Sequence, residues 1–174
     1  MRFAPLLVLL FAAPSFAQRD PKLEDYQSEA GRFKVKLPGR PKTESKDLAT
    51  GRGKQIITVT TEKVDTLNGA VFAVTYADYP DSYKDAPAKT ILEGVRDGLK
   101  GTDGKVIKDE ETSVQLNEAK IPGRDLRIEA GKSVIRARIF IHGQRLYQVL
   151  VTGTKDTVNT KDADAFLKSF ELAK

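Results

Sequence analysis

The chain has 174 residues, with 29 Lys and Arg against 24 Asp and Glu, a net charge of +5, one His and no Cys or Trp. That length suits one domain and leaves no room for two ordinary ones. Without cysteine there is no disulfide, thiol nucleophile, zinc–thiolate site or iron–sulfur cluster, and one histidine excludes any site that takes two imidazoles from this chain. No cofactor and no metal is expected.

Met1 to Ala17 carries one basic residue and no acid. Leu6-Leu7-Val8-Leu9-Leu10-Phe11 is a compact apolar run, and Ser15-Phe16-Ala17 sets small residues at the cleavage positions before Gln18. This is the pattern of a signal peptide over 1–17. The run is too short to cross a hydrocarbon core of ~30 Å, which takes ~20 residues. No Cys follows the cleavage point to carry a lipid, and no later stretch is long and apolar enough to span. The expectation is a periplasmic or secreted protein with no transmembrane segment once the signal is cleaved.

Residues 18–31 read as a polar lead-in, in which Tyr26 is a candidate for early pairing, and 32–174 read as a single folded domain. Arg32-Phe33-Lys34-Val35-Lys36-Leu37 alternates strictly, with apolar residues on one face and cations on the other, and Pro38-Gly39 ends it. That is a half-buried strand. Residues 42–54 are polar and Lys-rich, as exposed edge strands are. Strands follow at 55–62 and 70–77, with Asn68-Gly69 in the loop between them. In the second of these Phe72, Val74 and Tyr76 take one face and Val71 and Ala73 the other, the mark of a central strand covered on both sides.

Asp85-Ala86-Pro87 predicts a helix start, with the carboxylate near the cap and Pro in the first turn. Ile91, Leu92, Val95 and Leu99 form its buried stripe, and Gly101 stops it. Gly94 and Gly98 share one side, where bare backbone is expected to approach a sheet. A strand over 105–116 comes next. A three-strand meander follows at 126–130, 134–141 and 145–152, with turns at Gly131-Lys132 and His142-Gly143. Thr160 or Asn159 caps a last helix, with Asp162 and Asp164 in its first turn. Ala163, Phe166, Leu167 and Phe170 make its docking face. Glu29-Ala30-Gly31 and Pro38-Gly39-Arg40 recur at 129–131 and 122–124, at different offsets, and read as turn chemistry rather than an internal repeat. The pattern predicts an α+β fold: a mainly antiparallel sheet of about six to seven strands with two packed helices.

Phe33 to Pro38, Tyr76-Ala77-Asp78-Tyr79-Pro80, Pro122-Gly123-Arg124, Arg145-Leu146-Tyr147 and Phe166-Leu167-Lys168-Ser169-Phe170 form an ordered set over residues 26–172. That set resembles a group of uncharacterised exported bacterial proteins, whose topology is similar to the PsbP-like α/β/α sandwich, named for a lumenal extrinsic subunit of photosystem II. The resemblance implies an α/β/α sandwich that acts in binding or assembly without a shared catalytic apparatus. No site motif of the photosynthetic role is matched, and fold alone does not fix function.

Candidate chemistry is sparse. His142 lies in a tight turn with no recognisable nucleophile or orienting acid, and no G-x-S-x-G, H-E-x-x-H, P-loop or G-x-G-x-x-G is present. Asp109 and Glu111 share a strand face, as possible acid–base or metal partners or as solvated charge. The loop from Asp78 to Asp85 holds Tyr79, Tyr83 and three Asp, and is open to three readings: plain loop packing, a contact surface for a partner or a sugar, or a Ca²⁺ site.

Charge is uneven, with +6 over 32–54 and −3 over 61–85. A basic face attracts anions, but the chain lacks the aromatic–basic motif of an RNA-binding sheet, and nucleic acid is not an expected partner. The Gly131-Lys132 turn predicts Arg127 opposite Arg136 and Asp125 opposite Arg138. Facing arginines require an acid or an anionic ligand between them, and Glu129 is the structural solution. If the sheet holds an anion site, Arg127, Arg136, Arg138 and Tyr147 form it. The leading expectation is a non-catalytic exported binding or assembly module for an envelope protein, acting through its sheet face or the Tyr79–Tyr83 loop. The alternative is a binder of a small anionic ligand or envelope polymer through the arginine face. A hydrolase ranks last, and no catalytic residue is assigned.

Overall fold

The computed structural model describes residues 22–49 and 55–173. The signal peptide assigned to 1–17 lies outside the described residues. The elements run β1 (Glu24–Ser28), β2 (Phe33–Leu37), β3 (Lys42–Ala49), β4 (Ile56–Asp65), β5 (Val71–Asp78), a 3-10 turn (Asp81–Tyr83), α1 (Ala88–Lys100), β6 (Lys105–Leu116), β7 (Ala119–Ala130), β8 (Ser133–His142), β9 (Arg145–Gly153), α2 (Lys155–Val158), α3 (Lys161–Lys168) and β10 (Glu171–Leu172). Seven strands form one antiparallel sheet in the order β3-β4-β5-β9-β8-β7-β6, and β1-β2-β10 form a second, smaller one. The class is α+β, with an antiparallel main sheet as expected; the second sheet and the short α2 are additions.

The alternating burial of Phe33, Val35 and Leu37 along β2 drives the small sheet onto one face of the large one. There Phe72, Tyr76, Phe140, Tyr147, Phe166 and Phe170 interlock with it. Phe140 stacks on Phe170 at 5.6 Å, and Phe72 meets Phe166 edge-on at 5.2 Å, arrangements that aromatic quadrupoles favour beyond simple burial. Thr160 caps α3 by accepting from the Ala163 N–H, and Ala163, Phe166 and Leu167 bury its inner face.

On the opposite face α1 lies across β7 and β8. Leu92 is its buried residue, packed with Leu126, Ala137, Ile139, Ile141 and Leu146, while Ile91, Val95 and Leu99 are half-buried at the margins. The helix covers no more than that end of the sheet. All eight residues of β3 are exposed.

Several expectations are corrected. Part of the lead-in is strand: Tyr26 pairs early, as expected, with Val35, and Ser28 pairs with Phe33, so ordered structure begins before residue 32. The hairpin is secured by Ser28, which donates to the buried Glu62 carboxylate at 2.6 Å and accepts from the Gly31 N–H. Burial, and then the Glu62 charge, push the Tyr26 hydroxyl up to about 12.

Asp85 does not cap α1. The chain reaches the helix through the 3-10 turn, which leaves Asp85 exposed, and Pro87 takes the N-cap position with no side-chain bond. Gly94 and Gly98 do not approach a sheet; a Cβ at either would meet nothing within 4 Å. Pro122-Gly123-Arg124 lies inside β7 rather than in a turn. Pairing with β8 starts only at Gly123, so the missing N–H of Pro122 falls where that side of the strand is free. A Cβ at Gly123 would collide with the Ile139 carbonyl and the Phe140 ring.

Candidate functional site

Three concave regions carry the residues singled out from the sequence. The arginine face has the expected register, with Arg127 opposite Arg136 and Asp125 opposite Arg138. Arg136 donates from Nη1 to the Val158 carbonyl at 2.9 Å and from Nη2 to Asp164 at 2.5 Å. Arg138 donates to the Leu167 carbonyl at 3.1 Å, to Thr112 Oγ1 at 2.8 Å and to the Ser113 carbonyl at 3.3 Å, and lies over the Phe140 ring. Burial pushes its guanidinium down from the usual arginine range. Arg127 reaches Asn159 at 2.8 Å and Glu129 at 3.4 Å.

The Arg136 and Arg138 contacts satisfy carbonyls at the ends of α2 and α3, which have no partner within their helices. Arg127 and Arg136 share an open depression of about 340 Å³ with Lys108, Asp125 and Asp164. Tyr147 is not part of it. It pairs across the sheet with Tyr76 and Phe140 and lines a different cleft.

The second region holds the tyrosine loop. The Tyr79 and Tyr83 rings lie 5.0 Å apart, and burial, with Tyr83 beside it, raises the Tyr79 hydroxyl above the ordinary tyrosine value. The loop is pinned to the β8–β9 turn: the Tyr79 N–H donates to the Gln144 carbonyl at 2.8 Å, and Gln144 Nε2 donates back to the Tyr79 carbonyl at 2.9 Å. Around the tyrosines runs a groove of about 880 Å³, walled by Leu48 and Ile57 of the β3–β4 hairpin and by Ile91 and Val95 of α1. Gly94 lies on the α1 side of the groove with open space above its Cα. The Ca²⁺ reading finds no cluster: Asp78 is paired with Arg145, Asp85 is exposed, and among the described residues no three His, Asp or Glu side chains converge on one point.

The third region is a cleft of about 560 Å³ at the end of the strands, lined by His142, Tyr147, Asp78, Arg145, Arg32 and Asn117 among others. The β5–β9 register sets Asp78 opposite Arg145. The guanidinium grips the carboxylate through both oxygens, at 2.6 and 2.5 Å, and its Nη1 donates to the Ala30 carbonyl at 3.0 Å. Hydrogen bonding from Arg145 holds the Asp78 carboxyl below the usual carboxylate range against the opposing effect of burial, and the same bond raises Arg145. Burial raises the Tyr147 hydroxyl. His142 and Asp78 both line this cleft, but Asp78 is bound by Arg145, and among the described residues no Ser, Thr or Cys lines it. The pairing of Asp78 with Arg145 was missed in the sequence, although it joins two of the ordered motifs, 76–80 and 145–147.

Asp109 joins a fourth cluster. Arg124 Nε donates to it at 2.5 Å and Arg96 Nη1 at 3.1 Å. Burial alone would raise its carboxyl, but the two arginines outweigh that and hold it below the usual range. The residue clasps α1 to β6 and β7.

No protein-family model matches the sequence, and comparison with curated proteins finds no match. Among solved structures, the cyanobacterial PsbP (CyanoP) of Synechocystis sp. PCC 6803 is similar, with a TM-score of 0.51 at 14% identity over 87% of this chain and 93% of that one. The chain has a PsbP-like fold. No helix among the described residues is long and apolar enough to cross a membrane.

Proposed function

We propose that the protein is a non-catalytic exported binding or assembly module whose contact surface is the groove between the β3–β4 hairpin and α1, and whose occupant is an apolar segment of an envelope protein. The observation that carries this reading is the Tyr79–Tyr83 pair, pinned by Gln144 in an apolar groove of about 880 Å³. Pre-set tyrosines offer a large amphipathic contact area at little entropic cost. Leu48, 42% exposed, extends the apolar surface along the hairpin beside its cross-strand partner Ile57, and contiguous patches of this kind mark contact sites. The signal-peptide pattern of residues 1–17 supports an address outside the cytoplasm. The arginine face supports the alternative, an anion binder, less well, because its donors are committed to the ends of α2 and α3.

The test uses the empty space over two glycines of one helix. Gly94→Leu fills the groove, while Gly98→Leu alters α1 outside it. Both replace a helical glycine and should raise stability by up to ~1 kcal/mol. Immobilised wild-type protein is expected to capture an envelope protein of its own cell, identified by mass spectrometry; Gly98→Leu keeps that capture and Gly94→Leu loses it at least tenfold. Equal capture by both variants would overturn the assignment of the groove.

A further inference from the structure

We infer that the cleft between Arg32, Asn117, His142 and Tyr147 is a binding site for a small organic carboxylate, with the Arg32 guanidinium as its anchor. Arg32, in the β1–β2 turn, and Asn117, in the β6–β7 turn, have φ of 54° and 53°, and they are the non-glycine residues with positive φ among those described. Left-handed backbone is ordinary for Asn in a hairpin turn but costs an arginine roughly 1 kcal/mol, and both turns, far apart in the chain, line this one cleft. Such residues concentrate at sites where a side chain must be presented in a fixed direction.

The charge is also arranged for an anion. Asp78 is neutralised by both arms of Arg145, so the acid in the cleft is already satisfied. Arg32 is exposed, and among the described residues no carboxylate lies within ion-pair distance of it. Both Arg32 and Arg145 act on the ionisation of Tyr147, so their positive field reaches that hydroxyl. A guanidinium presents paired N–H donors that match a planar carboxylate. Leu116, Leu172 and Ala173 supply an apolar wall beside the polar groups, which suits a hydrocarbon body better than a bare inorganic ion. A volume of about 560 Å³ lies within the ordinary span of small-molecule sites. The cleft shares no lining residue with the tyrosine groove, so the two assignments stand or fall separately.

Hexanoate is the probe, titrated into the uniformly ¹⁵N-labelled protein, with hexanamide and inorganic phosphate as parallel arms. The expected result is a saturable shift of the Arg32, Asn117 and His142 amides with hexanoate, and at least tenfold weaker binding of hexanamide and of phosphate. Arg32→Gly removes the guanidinium while relieving the positive φ, so it should fold at least as stably as wild type and bind hexanoate at least tenfold more weakly. Arg32→Lys should recover part of the loss. Shifts confined to other regions, equal binding of hexanamide, phosphate binding as tight as hexanoate, or unchanged affinity in a folded Arg32→Gly variant would each overturn the site.

Discussion

The two faces of the seven-stranded sheet are filled by different means. On one, β2, β10 and α3 bring Phe33, Phe166 and Phe170 against Phe72, Phe140 and Tyr147, so rings interlock with rings and the face is sealed. On the other, α1 buries Leu92 alone and is held at its margin by charge, through Arg96, Asp109 and Arg124. The helix covers β7 and β8, and the β3–β4 hairpin is left bare beside it. Sealing produces stability, and partial cover produces a groove. The concave apolar surface of this molecule exists because one helix is asked to cover seven strands.

The contrast can be broken most directly in the cores. Phe166 is fully buried, and Phe166→Ala should cost about 4 kcal/mol in urea unfolding. Leu92→Ala should cost about 2 kcal/mol, because α1 can settle toward the open side. Equal losses would mean that the two faces are equally tight.

The next effect concerns Arg138, which holds the end of α3 to β6 and β8 from the sealed face. Arg138→Met keeps the stem and removes donors that satisfy the Leu167 and Ser113 carbonyls, and should cost about 2 kcal/mol. Capture by the tyrosine groove should be unaffected. A variant of unchanged stability that loses anion binding would return the arginine face to a ligand-binding role.

The smallest effect is the ionic clasp. Asp109 has a carboxyl held below its ordinary value, so its contribution is fully present above the unfolded pKa near 3.9 and is lost as pH falls through the folded one. Asp109→Asn should cost about 1 kcal/mol at pH 7, and its gap from wild type should narrow as the pH is lowered from 4 toward 2. High salt should narrow the same gap, whereas the cost of Phe166→Ala should not shrink with salt. A gap that is constant with pH would remove the clasp from the account.

Elements with a strong period were legible. Alternation marked β2, and the spacing of Ala163, Phe166 and Leu167 gave both α3 and its buried side. The Gly131-Lys132 turn fixed the register that sets Arg127 opposite Arg136. What the register does not carry is the third partner: the donors of Arg136 and Arg138 end on α2 and α3, reached only when the helices fold back. Tyr79 and Tyr83 were visible as a loop, but their groove depends on how little of the sheet α1 covers. The Arg32 cleft was illegible for the same reason at greater range, because it assembles residues from turns and ends that have no local pattern in common. β1 was legible only in Tyr26, the one apolar mark in Glu24 to Ser28; the rest of the strand is polar and pairs only because β2 offers it an edge.

The pairing of β10 with β2, Glu171 against Lys34 and Leu172 against Phe33, ties the far end of the described chain to its beginning. A two-stranded hairpin such as β1–β2 is marginal by itself in water, and its third strand lies almost a whole chain away. Closing so long a loop is entropically costly and slow. The large sheet itself joins two meanders, β3-β4-β5 and β6-β7-β8-β9, through the long-range β5–β9 pair, and its aromatic face is closed by Phe166 and Phe170. The seal on the aromatic face therefore hangs on the far end of the chain, and loss of the segment from Phe166 to Leu172 would uncover the rings of β5, β8 and β9.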